Sequence, residues 1–445
     1  MNSHWIRYLP ASISKTLDSH RNAQKIAVNT GWLMADRVLR IATSVVLSVW
    51  IARHLGPDQF GSLNYATAFV ALFGAFATLG LDGIVVRELV RNPGHRSEIL
   101  GAAFTLRFCG GCLTLLLAIA VIPLLRPQDS NVHLMVGLIA AGTILQSLDV
   151  IDFWFQSRVE SRFSVYAKST AFLLASAVKA LLILNNAPLW TFAAAASLEF
   201  ALSGVGLITM YRVKGQHFSA WRIRAGRLRQ LLHDCWPLAL SGLAVMVYMK
   251  IDQIMLGQML GNHEVGVYGA AIRFSEVWYF IPISLVASFS PALIESGSNN
   301  RELYHKRLSQ LFRLLMAIAL SIAIPITLVS GYVARIAYGP GYEGVETVLA
   351  IHIWAMPFVF LGVAQSPWSI NEGLTRLALF RAVSGAIANV ILNLLLIPRY
   401  GPAGAAFATT VSYALSAVVL NAFSSRTREI FRLQINSMFM LPVKK

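Results

Sequence analysis

Apolar residues in this chain come in long blocks separated by short polar and basic segments. A helix of about 20 apolar residues is long enough to cross the hydrocarbon core of a bilayer. Twelve stretches qualify, roughly 27–52, 60–81, 100–123, 132–155, 164–184, 188–211, 235–260, 265–289, 311–333, 345–368, 374–397 and 401–423. None alternates apolar and polar residues with a period of two. A bilayer also offers nothing to pair an open strand edge, so the blocks predict transmembrane α-helices. No cleavable signal peptide is visible ahead of the first block. The segment 1–25 is basic and polar, with Trp5, Ile6, Tyr8 and Leu9 near its start. It reads either as an amphipathic helix on the membrane surface or as a loosely ordered tail.

The positions of Lys and Arg set the expected orientation. Counting both terminal segments and every second loop as one side gives 27 basic residues, against four on the other, Arg53, Arg126, Arg335 and Arg399. The split predicts two cytoplasmic termini and an even number of spans. It also accounts for the net charge of +16 and the pI of about 10.1 without nucleic acid as a partner. Of the 445 residues, 56% are hydrophobic and 13% charged, with mean hydropathy +0.60. Soluble domains carry about 25% charged residues, so an ordinary soluble enzyme, a disordered chain and a disulfide-stapled secreted domain are all excluded. Cys109 and Cys112 form a C-x-x-C inside an apolar stretch with no His or further Cys nearby. With Cys235 they read as helix-packing residues rather than a redox or zinc site.

The widest basic connection, 213–230, divides the chain into two six-span halves that look related. Leu55-Gly56, Gly61 and Ala66 recur 205 residues later as Leu260-Gly261, Gly266 and Ala271. Trp154 and Arg162 recur 214 residues later as Trp368 and Arg376. Phe192 and Ser197 recur 215 residues later as Phe407 and Ser412. Six spans per copy keep the copies parallel, related by an axis along the membrane normal. The expected fold is therefore an all-α polytopic membrane protein of twelve transmembrane helices. They form two six-helix lobes related by pseudo-two-fold symmetry around a central cavity. The expected segments are a cytoplasmic N-terminal segment 1–26, an N-lobe 27–212, the basic linker 213–230, a C-lobe 231–423 and a cytoplasmic tail 424–445.

Charges inside the spans are the candidate chemistry, because each is costly at membrane depth unless it faces water or a partner. Candidates for substrate contact are Arg37 and Arg40 on the first span, Arg107 on the third, Lys179 on the fifth, Lys250 on the seventh, Arg273 on the eighth, and Asn389 and Asn393 on the eleventh. Candidates for cation coupling are Asp36, Asp149, Asp152, Asp252 and Glu276. Each has a plain structural alternative. Asp36 and Arg40 stand four apart and can pair, Arg107 and Lys179 can snorkel, and the asparagines can bind helix to helix. The charges on the seventh and eighth spans can form an interlobe salt-bridge network. Gln146 and Gln156 extend the polar face of Asp149 and Asp152, and Glu199 with Ser203 offers another. No phosphate-binding G-x-x-x-x-G-K-[ST] loop occurs, and the histidines show no metal spacing. No catalytic constellation, cofactor site or long external loop is visible, so the chain reads as a non-enzyme that draws on ion gradients, substrate gradients or consumption of the product outside.

Motifs in order along nearly the whole chain then carry a family likeness. Arg53-His54-Leu55-Gly56-Pro57-Asp58-Gln59-Phe60-Gly61 follows the first span, and Gly80-Leu81 through Arg87-Glu88 ends the second. Asp252 with Leu256-Gly257, then Val265-Gly266-Val267-Tyr268 and Ala271, marks the seventh and eighth, followed by Pro291-Ala292-Leu293. Tyr338-Gly339 with Tyr342 precedes the tenth. Asn389, Asn393 and Ile397-Pro398-Arg399-Tyr400-Gly401-Pro402-Ala403-Gly404-Ala405-Ala406 lead into the last. The chain thereby resembles the polysaccharide flippases of the multidrug/oligosaccharidyl-lipid/polysaccharide exporter superfamily, which export O-antigen and exopolysaccharide repeat units. The resemblance implies a V-shaped, two-lobed transporter in the bacterial inner membrane. It further implies a substrate of oligosaccharide on undecaprenyl pyrophosphate, contact with membrane lipids, and polysaccharide polymerase and chain-length proteins as neighbours in lipopolysaccharide biosynthesis. Two other readings stay open: a multidrug/organic-cation antiporter of the same superfamily, and a membrane-embedded polymerase or ligase.

Overall fold

The computed structural model describes residues 21–299 and 301–439. Most of the segment 1–25, expected on the surface or as a tail, lies outside the described residues, as do Lys444 and Lys445. Among the described residues every regular element is helical. The first helix, α1 (Arg21–Thr78), carries the first two apolar blocks. It breaks at Gly56, where φ of 70° and ψ of 170° exclude a side chain, immediately before Pro57. Then come α2 (Leu81–Arg91), α3 (Arg96–Leu125), α4 (Ser130–Leu145), α5 (Val150–Ser157), α6 (Arg162–Leu184) and α7 (Leu189–Val213). The second sequence half holds α8 (Ala225–Met259), α9 (Asn262–Glu276), α10 (Phe280–Asn299), α11 (Arg301–Tyr338), α12 (Val345–His352), α13 (Ala355–Ala364), α14 (Ser366–Asn371) and α15 (Thr375–Ala417). The helix α15 breaks at Gly401, φ 57°, between Pro398 and Pro402. A short amphipathic helix, α16 (Arg428–Met438), follows.

Among the described residues ten helical segments are long and apolar enough to cross a membrane. The twelve apolar blocks fall within them because the first two share Asp36–Arg91 and the last two share Arg376–Ala422. Two spans are interrupted by 3₁₀ turns, Gln146–Asp149 between α4 and α5 and Val277–Tyr279 between α9 and α10. Polar side chains such as those of Gln146, Ser147 and Asp149 compete with the helical backbone for hydrogen bonds, which favours the first interruption.

The chain gathers into two compact units. The first runs through Ser44, then takes Phe76–Ile119 and Gly137–Ala239. Its core includes Leu81, Val85, Leu100, Trp154, Phe155 and Tyr211. The basic connection before α8 is packed onto this unit. The Arg222 amide donates to the Ser97 carbonyl at 3.1 Å, Arg224 pairs with Glu98 at 2.9 Å, and the Trp221 indole donates to the Tyr211 hydroxyl at 3.1 Å.

The second unit takes Val45–Ala75, Ala120–Val136 and the described chain from Leu240 onward. Its core centres on Leu308, Leu311, Phe312, Leu315, Phe360 and Leu361. Segments of both sequence halves meet inside it, next to the arginine-poor loops. A Cβ on Gly61 would overlap the Asn262 carbonyl, and one on Gly266 would overlap the Pro57 carbonyl. By the 205-residue offset Gly61 corresponds to Gly266 and Pro57 to Asn262, so the two contacts are reciprocal. Around them the Arg126 guanidinium lies 4.6 Å over the Tyr65 ring and donates to the Gly257 carbonyl. Gln258 donates to the Tyr65 hydroxyl at 2.7 Å, and Tyr342 donates to the Ala52 carbonyl at 2.7 Å. Burial pushes the Tyr342 phenol above its ordinary pKa, so it stays a donor across the physiological range.

Candidate functional site

Each unit holds polar side chains in its apolar interior. In the first unit the charges interlock. On α1, Arg40 Nε donates to Asp36 at 2.8 Å, and Asp36 also accepts from the Ser169 hydroxyl on α6. The Arg40 guanidinium lies 5.0 Å over the Phe172 ring and 4.0 Å from Glu199 on α7. Glu199 in turn holds Lys179 at 3.2 Å. Lys168 is clamped between Asp149 at 2.9 Å and Asp152 at 2.8 Å. Arg107 on α3 is 4% exposed, pairs with Asp82 at 3.0 Å and Asp149 at 3.9 Å, and lies 4.9 Å over the Phe153 ring. The helical spacing explains the stripe: Lys168, Phe172 and Lys179 recur on one face of α6, while the 3₁₀ turn presents Asp149 toward it.

This network borders a cavity of about 180 Å³ lined by Arg40, Gln146, Asp149, Lys168, Glu199 and Ser203 among others. Its lining combines donors and acceptors. One Arg40 terminal nitrogen, Nη2, is buried with no hydrogen-bond partner among the described residues. The structure thus brings Asp36, Arg40, Arg107, Asp149, Asp152 and Lys179 into one unit. Arg37, three residues from Arg40, is exposed. Lys168, which by sequence counts with the loop cations because it lies near a block edge, proves to be the hub of the carboxylates. Asp82 lies outside the predicted spans at the start of α2, and nothing in the sequence marks it as the partner of Arg107.

In the second unit Asp252 on α8 is 1% exposed. Its carboxylate accepts from the Tyr268 hydroxyl at 2.7 Å, from Asn393 Nδ2 at 2.7 Å and from the Thr409 hydroxyl. Asn393 also donates to Asn389 Oδ1 at 3.1 Å, and its own Oδ1 is buried with no partner among the described residues. Nearby on the same helices Lys250 lies 3.6 Å from Glu276. Arg273 is exposed and makes no ion pair among the described residues. Thr409 carries no signal in the sequence, because a threonine in an apolar helix ordinarily bonds only its own backbone; here it does both. No group of three or more His, Cys, Asp or Glu residues that could hold a metal occurs among the described residues. Cys109, Cys112 and Cys235 are free thiols.

Known proteins share this architecture. The chain is 22% identical over 428 residues to the putative O-antigen transporter of Shigella flexneri, covering 91% of this chain and 99% of that protein. It is 24% identical to the probable flippase AglR of Haloferax volcanii, covering 89% and 82%. Among solved structures, the inward-facing conformation of a multidrug resistance MATE family transporter of the MOP superfamily superimposes with a TM-score of 0.73 at 15% identity, over 89% of this chain and 96% of that one. That match shows the fold. The MatE family profile matches residues 237–395. The profile of the polysaccharide biosynthesis protein family matches residues 26–294, more than half of the sequence, and the chain belongs to that family.

Proposed function

We propose that this protein is a flippase. It moves undecaprenyl-pyrophosphate-linked oligosaccharide repeat units across the bacterial inner membrane by alternating access, for O-antigen or exopolysaccharide biosynthesis. The observation that carries the reading is the cavity of about 180 Å³ set among Arg40, Asp149, Lys168 and Glu199 inside an apolar helical unit. Passing a pyrophosphate and many hydroxyls through hydrocarbon is prohibitive, while a polyprenyl tail prefers lipid. A polar cavity accepts the headgroup and leaves the tail outside. The mixture of fixed donors and acceptors suits sugar hydroxyls. Arg273, with no carboxylate partner among the described residues, suits a phosphate through charge-assisted hydrogen bonds. The names of the similar proteins, a putative O-antigen transporter and a probable flippase, support the coarser reading of a polysaccharide flippase. On this reading the chain is not an enzyme, both termini are cytoplasmic, and polymerase and chain-length proteins act on the exported product.

Coupling to a cation belongs to Asp252. Its carboxylate, with Thr409, Asn389 and the partnerless Asn393 Oδ1, gathers oxygens without a protein cation among them. A bound Na⁺ or proton there shifts the balance between conformations only as far as it prefers one of them.

Arg273→Ala is expected to abolish surface glycan in a strain lacking the native gene while the protein stays in the membrane. Normal glycan from the variant contradicts the proposed phosphate contact. A second reading, an organic-cation antiporter, draws on the carboxylates that hold the four cations of the first unit, Asp36, Asp82, Asp149, Asp152 and Glu199, and on the MATE-like fold. It predicts dye resistance on overexpression with no glycan phenotype.

A further inference from the structure

The first unit has a second cavity, of about 250 Å³, between the end of α2 and the end of α5. It shares no lining residue with the cavity at Arg40. Its polar lining is Arg96, Ser157 and Arg158, and its apolar lining includes Leu89, Val90 and Trp154. No carboxylate lines it. The acids close by in sequence are committed elsewhere. Glu88 accepts from Asn92 at 3.0 Å and lies 3.8 Å from Arg227. Glu98 pairs with Arg224 at 2.9 Å, and Glu160 with Lys214 at 2.9 Å. Arg96 and Arg158 are left without an ion-pair partner among the described residues, unlike Arg40, Arg107, Lys168 and Lys179 in the same unit.

The two arginines are also placed as if for an anion. The Arg158 guanidinium lies 4.9 Å over the ring of Trp154, a side chain only 2% exposed and therefore fixed. Arg96 opens α3, which sets a cation against the positive end of that helix dipole. An anion between the two guanidiniums relieves that repulsion. We propose that this cavity binds the phosphate of an anionic phospholipid. Both lining segments lie in loops of the arginine-rich side, at the level where basic pockets between membrane helices take lipid headgroups. The apolar wall favours a lipid over free phosphate: Val90 is 60% exposed, beside Leu89, and offers hydrocarbon to the first carbons of an acyl chain.

The test uses the full-length protein in detergent, with bound lipid counted by native mass spectrometry. One phosphatidylglycerol is expected to stay bound at concentrations where phosphatidylcholine does not. In the Arg96→Gln/Arg158→Gln double variant its affinity is expected to fall about tenfold or more. Each single variant should show an intermediate loss, and an unchanged melting temperature shows that the fold is intact. Arg158→Lys, which keeps the charge but loses the two-pronged geometry, is expected to lose affinity as well. Equal binding of phosphatidylcholine, or full phosphatidylglycerol binding by the double variant, overturns the proposal. Release by millimolar inorganic phosphate assigns the site to the free anion, and preferential retention of undecaprenyl phosphate assigns it to the transported lipid. Either result also overturns it.

Discussion

Asp252 shows how one ionisable residue is kept inside an apolar bundle. Burying a lone carboxylate costs several kcal/mol. Hydrogen bonds to a charged acceptor return about 1.5–3 kcal/mol each, and Asp252 accepts from Tyr268, Asn393 and Thr409. Tyr268→Phe removes one donor at nearly constant volume. It is expected to destabilise the purified protein by about 1.5–3 kcal/mol, read as a lower melting temperature, and an unchanged melting temperature means that Asp252 does not depend on this bond. Asp252→Asn keeps a polar side chain of similar shape. The wild type is expected to melt higher in Na⁺ or at a pH that loads the site, and the variant to lose that response. Asp252, Asn389 and Asn393 stand out in the sequence as polar residues in apolar blocks, and the bond from Asn393 to Asp252 is the helix-to-helix contact of their plain structural alternative. Thr409 does not, because a membrane threonine has its own backbone to bond, and its role comes from a helix distant in sequence. Lys168 is legible in part: helical spacing puts it on one stripe with Phe172, Ser176 and Lys179, but its carboxylate partners on the preceding segment emerge only in the fold.

At the scale of elements, close helix approach depends on residues without side chains. Gly61 and Gly266 let α1 and α9 bring backbone against backbone. Leucine at either position has no room without moving a helix, because the obstructing atoms are the Asn262 and Pro57 backbones rather than flexible side chains. Gly61→Leu and Gly266→Leu are each expected to abolish export with protein still in the membrane. The reciprocal contacts predict similar severity for the two, and a silent variant at either site contradicts the packing described. The second unit also buries Arg381, which donates to Gln365 at 3.3 Å, Asn421 at 2.5 Å and Ser369 at 3.2 Å. Asn421 donates in turn to Gln434 of α16 at 2.9 Å. Arg381→Leu strands these acceptors at about 1–3 kcal/mol apiece. It is expected to lower thermal stability and release α16 to limited proteolysis.

Among the described residues the twelve apolar blocks fall within ten helices long and apolar enough to cross a membrane, because length and hydrophobicity suffice to mark such a helix but not where one bends into the next. The periodicity gave no warning of the 3₁₀ turns at Gln146–Asp149 and Val277–Tyr279. Nor did it show that the basic connection is docked. Arg222, Arg224 and Arg227 look like a solvated loop until Ser97, Glu98 and Glu88 are found opposite them.

At the scale of the whole molecule, charge is divided by use. By sequence most cations fall in the terminal segments and every second loop, the pattern expected to orient the chain. Within the first unit four cations, Arg40, Arg107, Lys168 and Lys179, are each held by carboxylates, so the cavity at Arg40 offers paired polar groups rather than unpaired positive charge. Of these pairings the sequence shows only that of Arg40 with Asp36, four residues apart. The others are not legible in it, because Asp82, Asp149 and Glu199 reach their cations only through the fold. Filling the cavity with Ser203→Leu is therefore expected to impair transport of a glycan headgroup without disturbing the ion pairs. The variant should still reach the membrane and melt like the wild type.

The central claim is that this chain translocates lipid-linked glycan, and reconstitution tests it most directly. Undecaprenyl pyrophosphate carrying a labelled oligosaccharide is placed in liposomes with the purified protein, and a membrane-impermeant glycosidase reports which leaflet holds it. The account predicts that nearly all of the label becomes accessible within minutes with the wild type, while about half stays protected with Arg273→Ala or in empty liposomes. Protection of that same half with the wild type contradicts it.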